Sequence, residues 1–84
     1  MIDDIKSTIL AALPDAEVIV EDPMNDGAHF QAIVISPSFE GLRLVNQQRA
    51  VMSALKDAFA EGVHALALKT YTPARWQQIQ ESQK

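Results

Sequence analysis

His29 and His64 are the side chains of this 84-residue chain best suited to hold a metal, and no cysteine accompanies them. Imidazole ligates zinc, copper, nickel or iron. A structural zinc takes four protein donors, and a histidine-ligated iron–sulfur cluster still needs thiolates on its other iron. Two imidazoles without sulfur can therefore only contribute to such a centre; a second molecule has to complete it. The plainer account is that His64 bonds a backbone group at a strand end and His29 is a polar residue beside a turn.

Other chemistry is harder to build. Without cysteine there is no thiolate nucleophile. No serine lies in a G-x-S-x-G elbow, and the G-x-x-x-x-G-K-[ST], G-x-G-x-x-G and H-E-x-x-H patterns are missing. Glu21 and Asp22 are adjacent along the chain, which reads as solvated charge at a strand end. The chain is expected not to be an enzyme. Arg43, Arg49 and Arg75, with Trp76 near by, could form a basic surface, although solvated helix charges and a core tryptophan are the plainer account.

Charge is unevenly divided. The net value is −4, yet residues 1–40 hold eight acids against Lys6, while residues 41–75 hold five bases against Asp57 and Glu61. A polyanion would be repelled overall and attracted to one side only. A hydrophobic share of 48% with 21% charged residues fits a globular fold. No apolar run approaches a membrane span, and Met1-Ile2-Asp3-Asp4 lacks the features of a signal peptide. A soluble, cytoplasmic protein is expected.

The elements that must position the histidines follow from periodicity. Ile2, Ile5, Ile9, Leu10 and Leu13 recur at helical spacing, which predicts a helix from about Asp3 to Leu13, stopped by Pro14-Asp15. Glu17–Glu21 is a β-branched, alternating strand, and Asp22–Gly27 is a turn by composition. A second strand is predicted over 28–36, with Phe30, Ala32 and Val34 on one face. After a link carrying one buried aromatic, Phe39, a long helix is predicted from Leu42 or Arg43 to about Ala60. Its apolar set is Leu44, Val45, Val51, Met52, Leu55 and Phe59, and Gly62 stands near its C′ position. A third strand over 63–70 opens with His64. Thr72 as N-cap and Pro73 at the first helical position start a last helix to about Gln80, with Trp76 and Ile79 on its apolar side.

A hairpin followed by a strand–helix–strand crossover gives an αββαβα order. The expected fold is a single α+β domain over residues 1–84, a sandwich with a mixed three-stranded sheet. Were the second and third strands parallel neighbours, both imidazoles would lie toward one end of the sheet.

These residues also carry a resemblance. His29–Ser36, then Ser38-Phe39-Glu40-Gly41-Leu42, a helix opening Arg43-Leu44-Val45-Asn46-Gln47-Gln48-Arg49, and the run Val63–Trp76 together resemble the BolA family, closest to its IbaG-like bacterial branch. The carrying patterns are F-x-G followed by R-[LV]-V-x-x-[QH]-R, and H-A-L-x-[LI]-K-x-x-[TS]-P-x-x-W. The resemblance implies a class II K-homology-like, BolA-like fold without the G-x-x-G loop that clamps RNA. It further implies a monothiol glutaredoxin as partner and a [2Fe–2S] cluster shared with it and with glutathione. His64 would be one ligand; the second would come from the loop between the first two strands, where His29 is the candidate. A role in iron–sulfur trafficking or iron and redox regulation follows. The family is also associated with transcriptional control of stress response and cell shape, which implies DNA as an alternative partner, with Arg43, Arg49, Lys69 and Arg75 as contacts. A homodimer stays open, with nothing in the sequence to favour it.

Overall fold

The computed structural model describes residues 2–27, 29–58 and 66–82. Helix α1 (Ile2–Ala12) leads into strand β1 (Glu17–Glu21), a turn and strand β2 (Phe30–Ile35). A single 3₁₀ turn (Pro37–Phe39) then precedes helix α2 (Leu44–Ala58), strand β3 (Leu66–Tyr71) and helix α3 (Pro73–Ser82). The sheet order is β1-β2-β3. β1 pairs antiparallel with β2, from Glu17 opposite Ile35 to Glu21 opposite Gln31. β2 pairs parallel with β3, from Phe30 opposite Leu66 to Ile35 opposite Tyr71. The expected αββαβα order and mixed three-stranded sheet are what the chain adopts.

The core lies between the helices and one face of the sheet. Ile5 and Ile9 of α1, Val18 of β1, Phe30 and Val34 of β2, Phe39, and Val51 and Leu55 of α2 form one buried cluster. The i, i+4 spacing of Ile5 with Ile9 and of Val51 with Leu55 puts each pair on one helical face. The period-two spacing of Phe30 and Val34 does the same on the strand. Phe39 reaches the core because Ser36 caps the 3₁₀ turn: its Oγ accepts from the Ser38 N–H at 3.0 Å, and the Ser36 N–H donates to Tyr71 O at 3.1 Å.

Two expectations need correcting. Leu44, Val45 and Met52 do not join the core; they are 58%, 55% and 40% exposed, because the inward stripe of α2 runs through Gln47, Val51 and Leu55. Trp76 is not a core tryptophan either. α3 has no buried residue, and Trp76 is half-buried against Tyr71, with ring centroids 5.3 Å apart. Phe59 and Gly62, placed by sequence at the end of α2, lie outside the described residues.

No helix among the described residues is long and apolar enough to cross a membrane.

Candidate functional site

The turn between β1 and β2 builds a local frame around His29. Pro23 follows Asp22, and the Asn25 N–H donates to Asp22 O at 3.0 Å. Asn25 and Gly27 then adopt φ of 52° and 67°. Asparagine and glycine tolerate this left-handed region best, and it folds the chain back on the Asp22 carboxylate. Asp22 Oδ1 accepts from the Asp26 N–H at 3.3 Å, and Oδ2 accepts from the Gly27 N–H at 2.9 Å.

Asp26 repeats the device one step further on. Its Oδ1 accepts from the His29 N–H at 3.1 Å, while Oδ2 lies 2.7 Å from His29 Nδ1. Backbone and ring of the histidine are thus held by one carboxylate. The imidazole side chain remains 55% exposed and that of Asp26 37%. His29 immediately precedes Phe30, whose ring turns into the core.

The parallel register sets Phe30 beside Leu66, so β3 begins at the sheet end that carries His29. His64, two positions before Leu66 in the chain, lies outside the described residues, as do Val63 and Ala65. Ile2, Asp3, Asp22, Gly27 and Phe30 line a shallow hollow of 290 Å³ at the same end. Among the described residues, no three histidine, aspartate or glutamate side chains converge so as to hold a metal ion. The donor set present, one exposed and oriented imidazole with no cysteine in the chain to add a thiolate, suits a partial site that another molecule completes.

Arg43, Arg49, Lys69 and Arg75 are all exposed. Lys69 borders a hollow of 210 Å³ and Arg75 one of 320 Å³; the two hollows share Leu44, Thr70 and Tyr71. Arg43 immediately precedes Leu44. The structure therefore gathers three of the four cations around the start of α2 and the end of β3. Arg49 stands further along α2 and borders neither hollow.

Gln47 is a positioning residue that reading by residue type passes over. Its Nε2 donates to Leu42 O at 3.0 Å and Phe39 O at 3.4 Å, while its Oε1 accepts from Thr70 Oγ1 at 2.9 Å. The amide ties the crossover, α2 and β3 together. The available signal was a glutamine four and eight residues before Val51 and Leu55, in phase with the buried stripe.

An αββαβα sandwich with one antiparallel and one parallel strand pair, and no G-x-x-G loop, defines a K-homology-like class of fold. A family model described as BolA-like protein matches residues 12–75, and the chain belongs to the BolA family. It is 38% identical over 74 residues to "Acid stress protein IbaG" of Escherichia coli, spanning 87% of this chain and 84% of that one. It is 42% identical over 59 residues to "DNA-binding transcriptional regulator BolA" of Vibrio cholerae, which covers 70% of this chain and 56% of the relative. Among solved structures, a BolA homologue from Coxiella burnetii superposes with a TM-score of 0.76 at 40% identity, covering 92% of this chain and 96% of the other.

Proposed function

We propose that this chain is a non-catalytic adaptor that docks a monothiol glutaredoxin and supplies His64 and His29 to a [2Fe–2S] cluster shared between them. The glutaredoxin cysteine and glutathione bring the thiolates that this cysteine-free chain cannot supply. The observation that supports the reading most is the exposed His29 ring, held by Asp26 at the sheet end where β3 begins, two residues after His64 in sequence. Histidine replacing thiolate on one iron raises a cluster's reduction potential and makes its ligation sensitive to protons. Both properties suit a centre that is handed on in iron–sulfur trafficking or read as an iron or redox signal.

The test is to reconstitute an equimolar mixture of this chain and a monothiol glutaredoxin with glutathione, iron and sulfide, and to record visible absorbance and circular dichroism. The mixture is expected to give a spectrum distinct from that of the glutaredoxin alone. His64→Ala should abolish the difference and His29→Ala should reduce it. A wild-type spectrum identical to the glutaredoxin's own overturns the reading.

A second reading is favoured by the cations at the opposite end of the sheet and by the name of the Vibrio cholerae relative. Lys69 and Arg75, with Arg43 beside them, would contact a DNA backbone. A net charge of −4 and so few cations imply weak binding that falls about one log unit per log unit of salt for each phosphate neutralised. Mobility shifts at two salt concentrations test it; silence at low salt rejects DNA binding, and loss of a shift in Arg75→Ala supports it.

A further inference from the structure

We infer that Asp26 is a positioning residue, which fixes the tautomer of His29 so that Nε2 is the atom presented to a metal centre. The inference rests on the adaptor reading and goes beyond it by naming the coordinating atom and the group that selects it.

A carboxylate only accepts hydrogen bonds, so at 2.7 Å from Asp26 Oδ2 the Nδ1 atom carries the ring proton. A neutral imidazole has one proton to place, which leaves Nε2 with its lone pair free. The ring is 55% exposed, so Nε2 is not withheld by the protein interior.

The carboxylate–imidazole pair matches what metal-bound histidines generally need. The nitrogen away from the metal donates to a carboxylate, which orients the ring and makes the coordinating nitrogen a better donor. Here the carboxylate is itself immobilised. Its Oδ1 is engaged by the His29 N–H, and the Asp26 backbone N–H is held by Asp22. The two oxygens of Asp22 instead take the N–H groups of residues 26 and 27. The two aspartates therefore divide the work, with Asp22 shaping the turn and Asp26 selecting the ring tautomer.

That division sets the test. Long-range ¹H–¹⁵N correlation spectra of the isolated chain, recorded in buffer alkaline enough to keep imidazole neutral, report which nitrogen bears the proton. Wild-type His29 is expected as the Nδ1–H form. Asp26→Ala should return the ring to the Nε2–H form that free imidazole side chains prefer in water. Asp22→Asn, which retains an acceptor for the turn, should leave the tautomer as in the wild type, and backbone amide spectra establish that each variant is folded. In the reconstituted glutaredoxin complex, Asp26→Ala should speed cluster loss about 10-fold or more, within the range of carboxylates behind metal-bound histidines.

Nε2–H in the wild type, or equal disturbance by Asp22→Asn, overturns the assignment to Asp26. A wild-type chain that forms no cluster-bearing complex while still showing Nδ1–H overturns the adaptor reading instead and leaves the tautomer finding standing. A normal tautomer change in Asp26→Ala with unaltered cluster lifetime overturns the role of Nε2 as ligand.

Discussion

Thr70 Oγ1 donates to Gln47 Oε1 at 2.9 Å, a buried side-chain bond across 23 residues of sequence. It links the inward face of α2 to the parallel edge strand. With the two carbonyl contacts of the Gln47 amide, it leaves no buried side-chain polar atom unpartnered among the described residues. A neutral hydrogen bond adds only about 1 kcal/mol net, but stranding a buried partner costs about 1–3 kcal/mol. Gln47→Leu should therefore destabilise more than Thr70→Val, because it strands the Thr70 hydroxyl and the Leu42 carbonyl at once, while the Phe39 carbonyl keeps the Leu42 N–H. Urea denaturation of both single variants and the double variant should give a coupling energy of about 0.5–3 kcal/mol. A coupling near zero would mean that the bond is not made in solution.

Phe39 is 1% exposed and lies among Ile5, Ile9, Val51 and Leu55. Truncating a buried phenylalanine typically costs about 3–5 kcal/mol. Domains of this size hold roughly 5–15 kcal/mol in all. Phe39→Ala is expected to remove much of the cooperative thermal transition, and Phe39→Leu to restore a large part of it.

Gly27 separates a steric effect from a backbone one. Its φ is +67°, yet a Cβ placed there would meet nothing within 4 Å. Gly27→Ala should then lose only the left-handed backbone penalty of about 1–2 kcal/mol. Gly27→Asn should lose less, since asparagine tolerates this region. Calorimetric melting of the two variants measures the difference; equal losses would point to something other than backbone conformation.

The core is a cluster of apolar side chains, so chelation should leave the isolated chain's far-ultraviolet circular dichroism and melting unchanged. In the glutaredoxin complex the opposite sensitivity is expected. Imidazole has to be neutral to hold iron, so cluster absorbance should be fullest in neutral to mildly alkaline buffer and fall as pH drops. Acid loss should begin at a higher pH in this complex than in the glutaredoxin's own cluster, where no imidazole contributes. Identical acid profiles would count against histidine ligation.

The αββαβα order was legible because each element carries its own punctuation: Pro14-Asp15 after α1, the Asp22–Gly27 turn, Thr72-Pro73 before α3. The facing of α2 was not. Leu44, Val45 and Met52 are apolar enough for a core, but α1 and β3 cover only the side bearing Gln47, Val51 and Leu55. Residue type reports what could be buried, whereas the neighbours an element packs on decide what is. Gln47 shows the converse, a polar side chain drawn inward because carbonyls and a hydroxyl await it there. Of the site, His29 was visible as a residue and its carboxylate was not. The Asp26–His29 bond depends on left-handed residues folding the turn back, which no hydrophobic period encodes. His64, the other half of the reading, lies outside the described residues.

The parallel pairing of β2 with β3 has one more outcome. Asp3, Glu21, Asp22 and Asp26 gather where these strands start, whereas Arg43, Lys69 and Arg75 lie toward where they finish. A six-residue strand separates the two poles by roughly 20 Å. The starting end is thus uniformly acidic, whereas the finishing end mixes these cations with Glu17, opposite Ile35. A cationic visitor is therefore drawn to the first end more strongly than a polyanion is to the second. A guest seated on one end leaves the other bare, so the two partners proposed above would not compete for the same ground.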